Sequence, residues 1–213
     1  RGEVRQLDFS SSGAGGTSET KTSPLWGYQD VQIKDRTYRV VSLKTFMNLD
    51  ICSSLRKIAG PDPGPEVSGF VVDLRGNNGG DIAAAICLAA VFLGPDVPMY
   101  RVRYFGNSEK KLISTSSDVV GYGAPFTMLP VALLVDGVSA SATEIFALAL
   151  RNKDRATIVG QRTFGKGTVL FTRNWGPKES IAIFRTGGVA YGLNGLTQNR
   201  VGIVPDFVVP WRS

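Results

Sequence analysis

The sequence contains no histidine. That absence excludes a Ser-His-Asp triad, an HExxH zinc site and a His-ligated haem within this chain. Cysteine is scarce too, with 2 in 213 residues, which excludes a four-cysteine zinc site or an iron–sulfur cluster. Cys52 and Cys87 either pair or stay free, and their spacing does not decide which. The longest apolar run extends only from Ile82 to Leu93, well short of the roughly 20 residues that span a bilayer. Any acid–base chemistry must therefore fall to Lys, Asp, Glu, Tyr or Cys.

Acidic residues are the minority. Eighteen Asp and Glu face 24 Lys and Arg, a net charge of +6. Such a balance raises the question of nucleic acid or another anionic partner. The cations are scattered, however. The densest group, Arg101, Arg103, Lys110 and Lys111, alternates with Tyr, Val and polar residues. It is expected to form a solvated basic face, with no nucleic acid bound. Hydrophobic residues make up 43% and charged residues 20%, a globular composition that fits one α/β or α+β domain. The sequence opens at Arg1 rather than Met and shows no signal-peptide pattern, as expected of a processed or excised piece.

Residues 1–29 have linker character, richest in Ser, Gly and Thr from Ser10 to Ser23, with a short strand expected over Val4–Phe9. The ordered body is expected from residue 30 to 213. Strands are predicted over Tyr38–Leu43, Gly69–Leu74, residues 97–103, Val131–Val135, Ala156–Val159, Thr168–Thr172 and Ser180–Arg185. Helices are predicted over Leu49–Ala59, from an Asp81 cap to Leu93, and over Ser141–Arg151. Residues 112–127 and the Gly-rich stretch Gly187–Val201 are expected to be irregular. The alternation of strand and helix predicts an α/β fold with a mostly parallel sheet and helical crossovers.

Three apolar strands end in unusual loops. GFVVDL leads to RGNNGG, VALLV to DGVSASAT, and ATIV to GQRTFGKGT. In a parallel sheet the carboxyl ends share one edge, and ligands gather there. Gly79-Gly80, Ser141 and Lys166 are therefore expected to meet. Ser141 sits where a loop enters a helix, beside unpaired N–H groups and the positive end of the helix dipole, which can hold an oxyanion. A serine nucleophile still needs a base, and without histidine a lysine must serve, in its neutral form. Lys166, between two glycines after an apolar strand, suits that role. Each residue also has a plainer reading: Ser139, Ser141 or Thr143 as a helix cap, RGNNGG as a turn, Lys166 as a surface lysine.

Gly160 to Lys166 also spells the opening of a P-loop, and Asp73 and Asp136 end apolar strands as a Walker B Asp would. Two features oppose nucleotide binding. Gly167 occupies the place of the magnesium-binding Ser or Thr, and TVLFT is a strand where a P-loop needs a helix.

The segments FVVDLRGNNGG, DGVSASATEIFALAL, RATIVGQRTFGKGTV and GIVPD, in that order, resemble the catalytic core of the C-terminal processing (tail-specific) peptidases of family S41. The resemblance runs from about Tyr38 to Val209. It implies a ClpP/crotonase-like α/β core and a serine endopeptidase acting near the C-terminus of unstructured protein tails. It implies Ser141 as nucleophile, Lys166 as general base, and an oxyanion hole from the N–H groups of Gly80 and Ala142, with no metal and no cofactor. It also implies an extracytoplasmic location, thylakoid lumen or periplasm, and a PDZ domain or partner subunit outside this chain. Two positions depart from the family pattern. Leu170 stands where a Gln commonly follows the lysine by four residues, and Asn152 where an Asp commonly follows the serine by eleven, with Asp154 nearby. The rival expectation is a catalytically impaired homologue, kept as a binding or structural subunit of a larger assembly.

Overall fold

A computed structural model describes residues 22–23, 25–47, 66–116, 124–175 and 181–209. The expected strand Val4–Phe9 and helix Leu49–Ala59 lie outside the described residues. In chain order the elements are β1 (Thr22–Ser23), β2 (Trp26–Ile33), β3 (Arg36–Leu43), β4 (Val67–Asp73), α1 (Ile82–Leu93), β5 (Pro98–Tyr104) and β6 (Lys110–Ser114). They continue with α2 (Ala124–Met128), β7 (Val131–Val135), α3 (Ala142–Arg151), β8 (Ala156–Gly160), β9 (Thr168–Trp175), β10 (Ile181–Gly192) and β11 (Phe207–Val208).

The Val-rich runs of β4 and β7 are covered on both faces, as continuous apolar strands require. They form the middle of a 7-stranded sheet ordered β1-β2-β3-β4-β7-β8-β11. The pairs from β3 through β4, β7 and β8 to β11 are all parallel, and only β1–β2 and β2–β3 are antiparallel. The expected mostly parallel sheet with helical crossovers is thus what forms. The paired chain begins ahead of residue 30, because β2 starts at Trp26 and carries β1 at its edge.

A second sheet, ordered β6-β5-β10-β9, is wholly antiparallel. Two of its strands, β6 and β10, run into stretches that the sequence reading expects to be irregular. Part of the stretch expected to be irregular, residues 112–127, belongs to β6 and α2. The charges of Lys110 and Lys111 suit an edge strand and hide its alternation, and α2 is too short to show a helical period. The expected loop at Gly187–Val201 begins instead as the last part of β10, where a bulge between Thr186 and Gly188 absorbs the glycine pair.

Asp81 caps α1, its carboxylate accepting from the Ala83 N–H at 2.8 Å. Apolar residues surround this helix, so it must be buried on nearly all sides, and eight of its residues are. Helix α3 packs on α1, on β8 of the large sheet and on β5 and β10 of the small one, so it lies between the sheets. Phe146 of α3 anchors an aromatic cluster, with ring centroids 6.0 Å from Phe46 and 6.3 Å from Phe92. Cys87 of α1 is disulfide-bonded; the other cysteine of the sequence, Cys52, lies outside the described residues. No helix among the described residues is long and apolar enough to cross a membrane.

Phe146 is fully buried between both sheets. Phe146→Ala is expected to cost about 3–5 kcal/mol, read as a lowered denaturation midpoint. A loss below about 1 kcal/mol would remove it from the centre of the core.

Candidate active site

The carboxyl ends of β4, β7 and β8 emerge at one edge of the parallel sheet, and their three loops touch. Asp73, the last residue of β4, holds Arg75 in a two-pronged ion pair of 2.8 and 2.7 Å. The hydrogen bond and charge of Asp73 raise the Arg75 pKa, while burial pulls the other way. Asp136, directly after β7, accepts from the Gly76 N–H at 2.9 Å, and from the Val138 and Ser139 N–H groups at 3.0 Å each. The Ser139 hydroxyl is buried and donates to the Leu74 carbonyl at 2.9 Å. The residues that mimicked Walker B aspartates thus brace two loops.

Asn77 joins the RGNNGG loop to the start of α3. It is wholly buried. Its amide nitrogen donates to the Leu43 carbonyl at 3.0 Å, and its side-chain oxygen accepts from the Gly79 N–H and the Thr143 hydroxyl, both at 2.9 Å. Its backbone carbonyl accepts from the Ala140 N–H at 3.1 Å. Gly79 is thereby pressed against the serine. Its φ of 102° is one that side chains resist. A methyl group there would lie 2.8 Å from Ser141 Cβ and 2.7 Å from the Ala140 carbonyl oxygen.

Ser141 stands at the N-cap of α3 with φ 59° and ψ −118°. Positive φ at a non-glycine residue is a strained conformation that the surroundings must impose. It forms a capping box with Glu144, three residues on. In the arm from Glu144, the Ser141 N–H donates to Glu144 Oε2 at 3.0 Å. Ser141 is thus the N-cap of α3, as one of the plainer readings of the sequence expects.

Glu144 is the centre of the arrangement. Its side chain is wholly buried, and four donors converge on the carboxylate. Oε2 accepts from the N–H groups of Ser141 and Lys166, at 3.0 and 2.8 Å. Oε1 accepts from the Gly165 N–H at 2.8 Å and the Thr163 hydroxyl at 2.5 Å. Two bonds of 3.0 and 2.8 Å to one oxygen put the Ser141 and Lys166 backbone nitrogens no more than about 6 Å apart. Residues 25 positions apart in sequence are thus brought together, and both are partly exposed. The glycine before Lys166 is needed as well. Gly165 has φ 89°, and a methyl group there would lie 2.7 Å from the Gly202 nitrogen. Arg200 and Asn199 complete the clamp on this loop, bonding the Gly165 carbonyl at 2.8 Å and the Gly167 N–H at 3.2 Å.

Gly80 is bridged to Phe46, whose N–H and carbonyl bond Gly79 and Asp81 at 2.8 and 3.0 Å. Neither the Gly80 nor the Ala142 N–H has a partner among the described residues. Ala142 opens α3, where the helix dipole is positive. It is wholly buried, with Gly79 lying over it.

The departing residues fall in different places. Leu170, on β9 opposite Thr186, is 39% exposed. Asn152 is the C-cap of α3, about 15 Å along the helix from Ser141. Its effect on the serine and lysine is indirect. A cavity of about 530 Å³ lies near the amino ends of β7 and β8, against Val131, Arg155 and Ala156. It is at the opposite edge of the sheet from Ser141 and Lys166.

Glu144, Asn77 and Thr163 are site residues that the sequence reading misses. A Glu three residues after a Ser at a helix start is the signal of a capping box, and it marks Glu144 as a cap. Its reach to Thr163, Gly165 and Lys166 has no sequence signal. Glu144→Ala would leave three backbone N–H groups and a hydroxyl without their acceptor, and is expected to cost about 3–5 kcal/mol. Glu144→Gln keeps the shape but turns an NH₂ toward donors, for about 1–3 kcal/mol. Urea titration of both variants checks this, and two values within about 0.5 kcal/mol of the parent would contradict it.

Comparison with known proteins places this geometry. The sequence profile of peptidase family S41 matches residues 39–209. A carboxy-terminal-processing protease of Bartonella bacilliformis is 33% identical over 174 residues, covering 78% of this chain and 36% of its own. The chloroplastic carboxyl-terminal-processing peptidase 2 of Arabidopsis thaliana is 31% identical over 173 residues, covering 80% of this chain and 31% of its own. The chain therefore spans about a third of the length of these curated relatives. Among solved structures, a photosystem II D1 C-terminal processing protease superposes with a TM-score of 0.65 at 25% identity, over 81% of this chain and 42% of that one. A family match over most of the chain and relatives of this similarity agree on one assignment: the chain belongs to peptidase family S41.

Proposed function

We propose that this chain is the core of a serine endopeptidase that cleaves near the C-terminus of unstructured protein tails. The observation that carries the reading is the shared bond to Glu144 Oε2, which brings the backbones of Ser141 and Lys166 together. The hydroxyl oxygen of Ser141 attacks the peptide carbonyl, and the neutral amine of Lys166 takes its proton. The carbonyl oxygen becomes an oxyanion, held by the N–H groups of Gly80 and Ala142. As the intermediate collapses, the C–N bond breaks and Lys166 passes the proton to the leaving amine. Water then attacks the acyl-serine, Lys166 again taking and returning a proton. None of these steps calls on a metal or a cofactor. The names of the relatives support the tail-processing substrate class, and an extracytoplasmic setting is part of the same proposal. Delivery of the tail is assigned to a PDZ domain or partner subunit outside these residues.

A second reading, a catalytically silent binding subunit, is favoured by one observation. Ala142 is wholly buried beneath Gly79, so this N–H does not meet solvent unless the RGNNGG loop shifts. A fluorophosphonate probe separates the two. Labelling of the parent protein but not of Ser141→Ala supports the peptidase, and no labelling of either supports the silent subunit.

Ser141→Ala and Lys166→Ala are each expected to lower kcat/KM on an unstructured apolar-tailed substrate by about 10³-fold or more. Undiminished cleavage by either variant would eliminate the dyad.

A further inference from the structure

The basic cluster on β5 and β6 has a structural setting that a solvated face does not require. Arg103 and Lys110 stand directly opposite each other across the β5–β6 pair. Like charges in that position repel. Both are exposed and both lie over one ring, with Lys110 Nζ 4.1 Å and the Arg103 guanidinium 5.9 Å from the centroid of Tyr191. Neither forms an ion pair among the described residues. Arg101, two residues earlier on β5, is held by the Leu193 carbonyl at 2.7 Å, and Lys111, paired with Val102, is on the opposite face of the strands, which leaves Arg103 and Lys110 as the uncompensated pair on this face.

The cluster is close to the candidate dyad. The Ala190 N–H, next to Tyr191, donates to the Gly167 carbonyl at 2.8 Å, immediately after Lys166. Thr168, Val189 and Arg103 form one cross-strand row, so Arg103 lies about 10 Å from the start of β9. Thr168 is two residues beyond Lys166, whose backbone nitrogen is within about 6 Å of that of Ser141, so an extended polypeptide covers the whole path in about seven residues or fewer.

We propose that Arg103 and Lys110, framed by Tyr191, form a carboxylate-recognising subsite for the polypeptide cleaved at Ser141, engaging an acidic group within about seven residues of the scissile bond. The inference rests on the peptidase reading and adds substrate selectivity to it. Charge complementarity decides the partner class. Two free cations around one ring suit a single carboxylate, whereas recruitment to an anionic membrane takes clusters of about four to eight basic residues. An aspartate or glutamate side chain and a terminal carboxylate share the required chemistry.

The test uses the full chain carrying Ser141→Ala, which binds without cutting, and labelled peptides of one apolar sequence. One peptide carries Asp near its end and one Asn, both amidated, and a third has Asn with a free terminal carboxylate. Fluorescence anisotropy is expected to show about 3- to 10-fold tighter binding of the acidic peptides. The Asp and free-terminus arms identify which carboxylate is read. The advantage should fall to about one in Arg103→Gln/Lys110→Gln and at high salt. Equal affinity for acidic and neutral peptides, no binding of any, or a preference that survives the double substitution would each overturn the subsite. So would binding to phosphatidylserine vesicles that the double substitution abolishes, with no peptide preference. Cleavage assays on the parent protein keep the two readings apart. Equal kcat/KM on acidic and neutral peptides removes the subsite and leaves the peptidase. An acid preference in binding by a chain that cuts nothing keeps the subsite and removes the peptidase.

Discussion

Everything at the site depends on one buried carboxylate. A charge in the position of Glu144, sealed from water, is tolerated only if protein donors replace its hydration. Four donors do so, three of them backbone N–H groups. Backbone donors cannot be supplied by a side-chain rotamer. They exist only when the loop bearing Thr163, Gly165 and Lys166 is already folded against the start of α3. The charge and the loop geometry therefore require each other, and a mobile serine turn or lysine loop would leave the glutamate stranded.

Asn77 plays the matching part on the other side of Ser141. An amide offers both a donor and an acceptor, and Asn77 uses both, joining the end of β3 to Gly79 and Thr143. Ser141 is thus gripped between two hubs, which supplies the force that its positive φ demands. The same tightness explains why Gly79 covers Ala142. The loop that would frame an oxyanion is drawn onto the helix start, so exposure of the Ala142 N–H is coupled to the position of residues 76–80. Donors fixed before the reaction cost no reorganisation during it. Here the fixing comes from the buried side chains of Glu144 and Asn77.

Much of this was legible in the sequence. Val-rich runs announce β4 and β7, Asp81 announces the start of α1, and three strand ends with unusual loops announce the site edge. Other features were hidden for physical reasons. Strand β6 carries adjacent lysines because it is an edge, so its alternation is masked. Strand β10 continues through Gly187 and Gly188 because a bulge relieves them, a feature that depends on the partner strand β9. Asn152 looks adjacent to the serine's chemistry when counted along the chain, yet a ten-residue helix carries it to the far end of α3.

The amino-acid sequence alone determined the chemistry open to this protein. Without histidine, a serine nucleophile must rely on another base, and the Ser141 and Lys166 loops follow apolar strands whose parallel pairing sends them to one edge. Those are local consequences of composition, periodicity and strand direction. Only the tertiary structure decided that Glu144 binds both loops, that Asn77 braces the glycine turn, and that Arg103 and Lys110 share the face of Tyr191. These are contacts between segments far apart in sequence, formed when burial forces polar groups to find partners, and no local pattern specifies which partner each one finds.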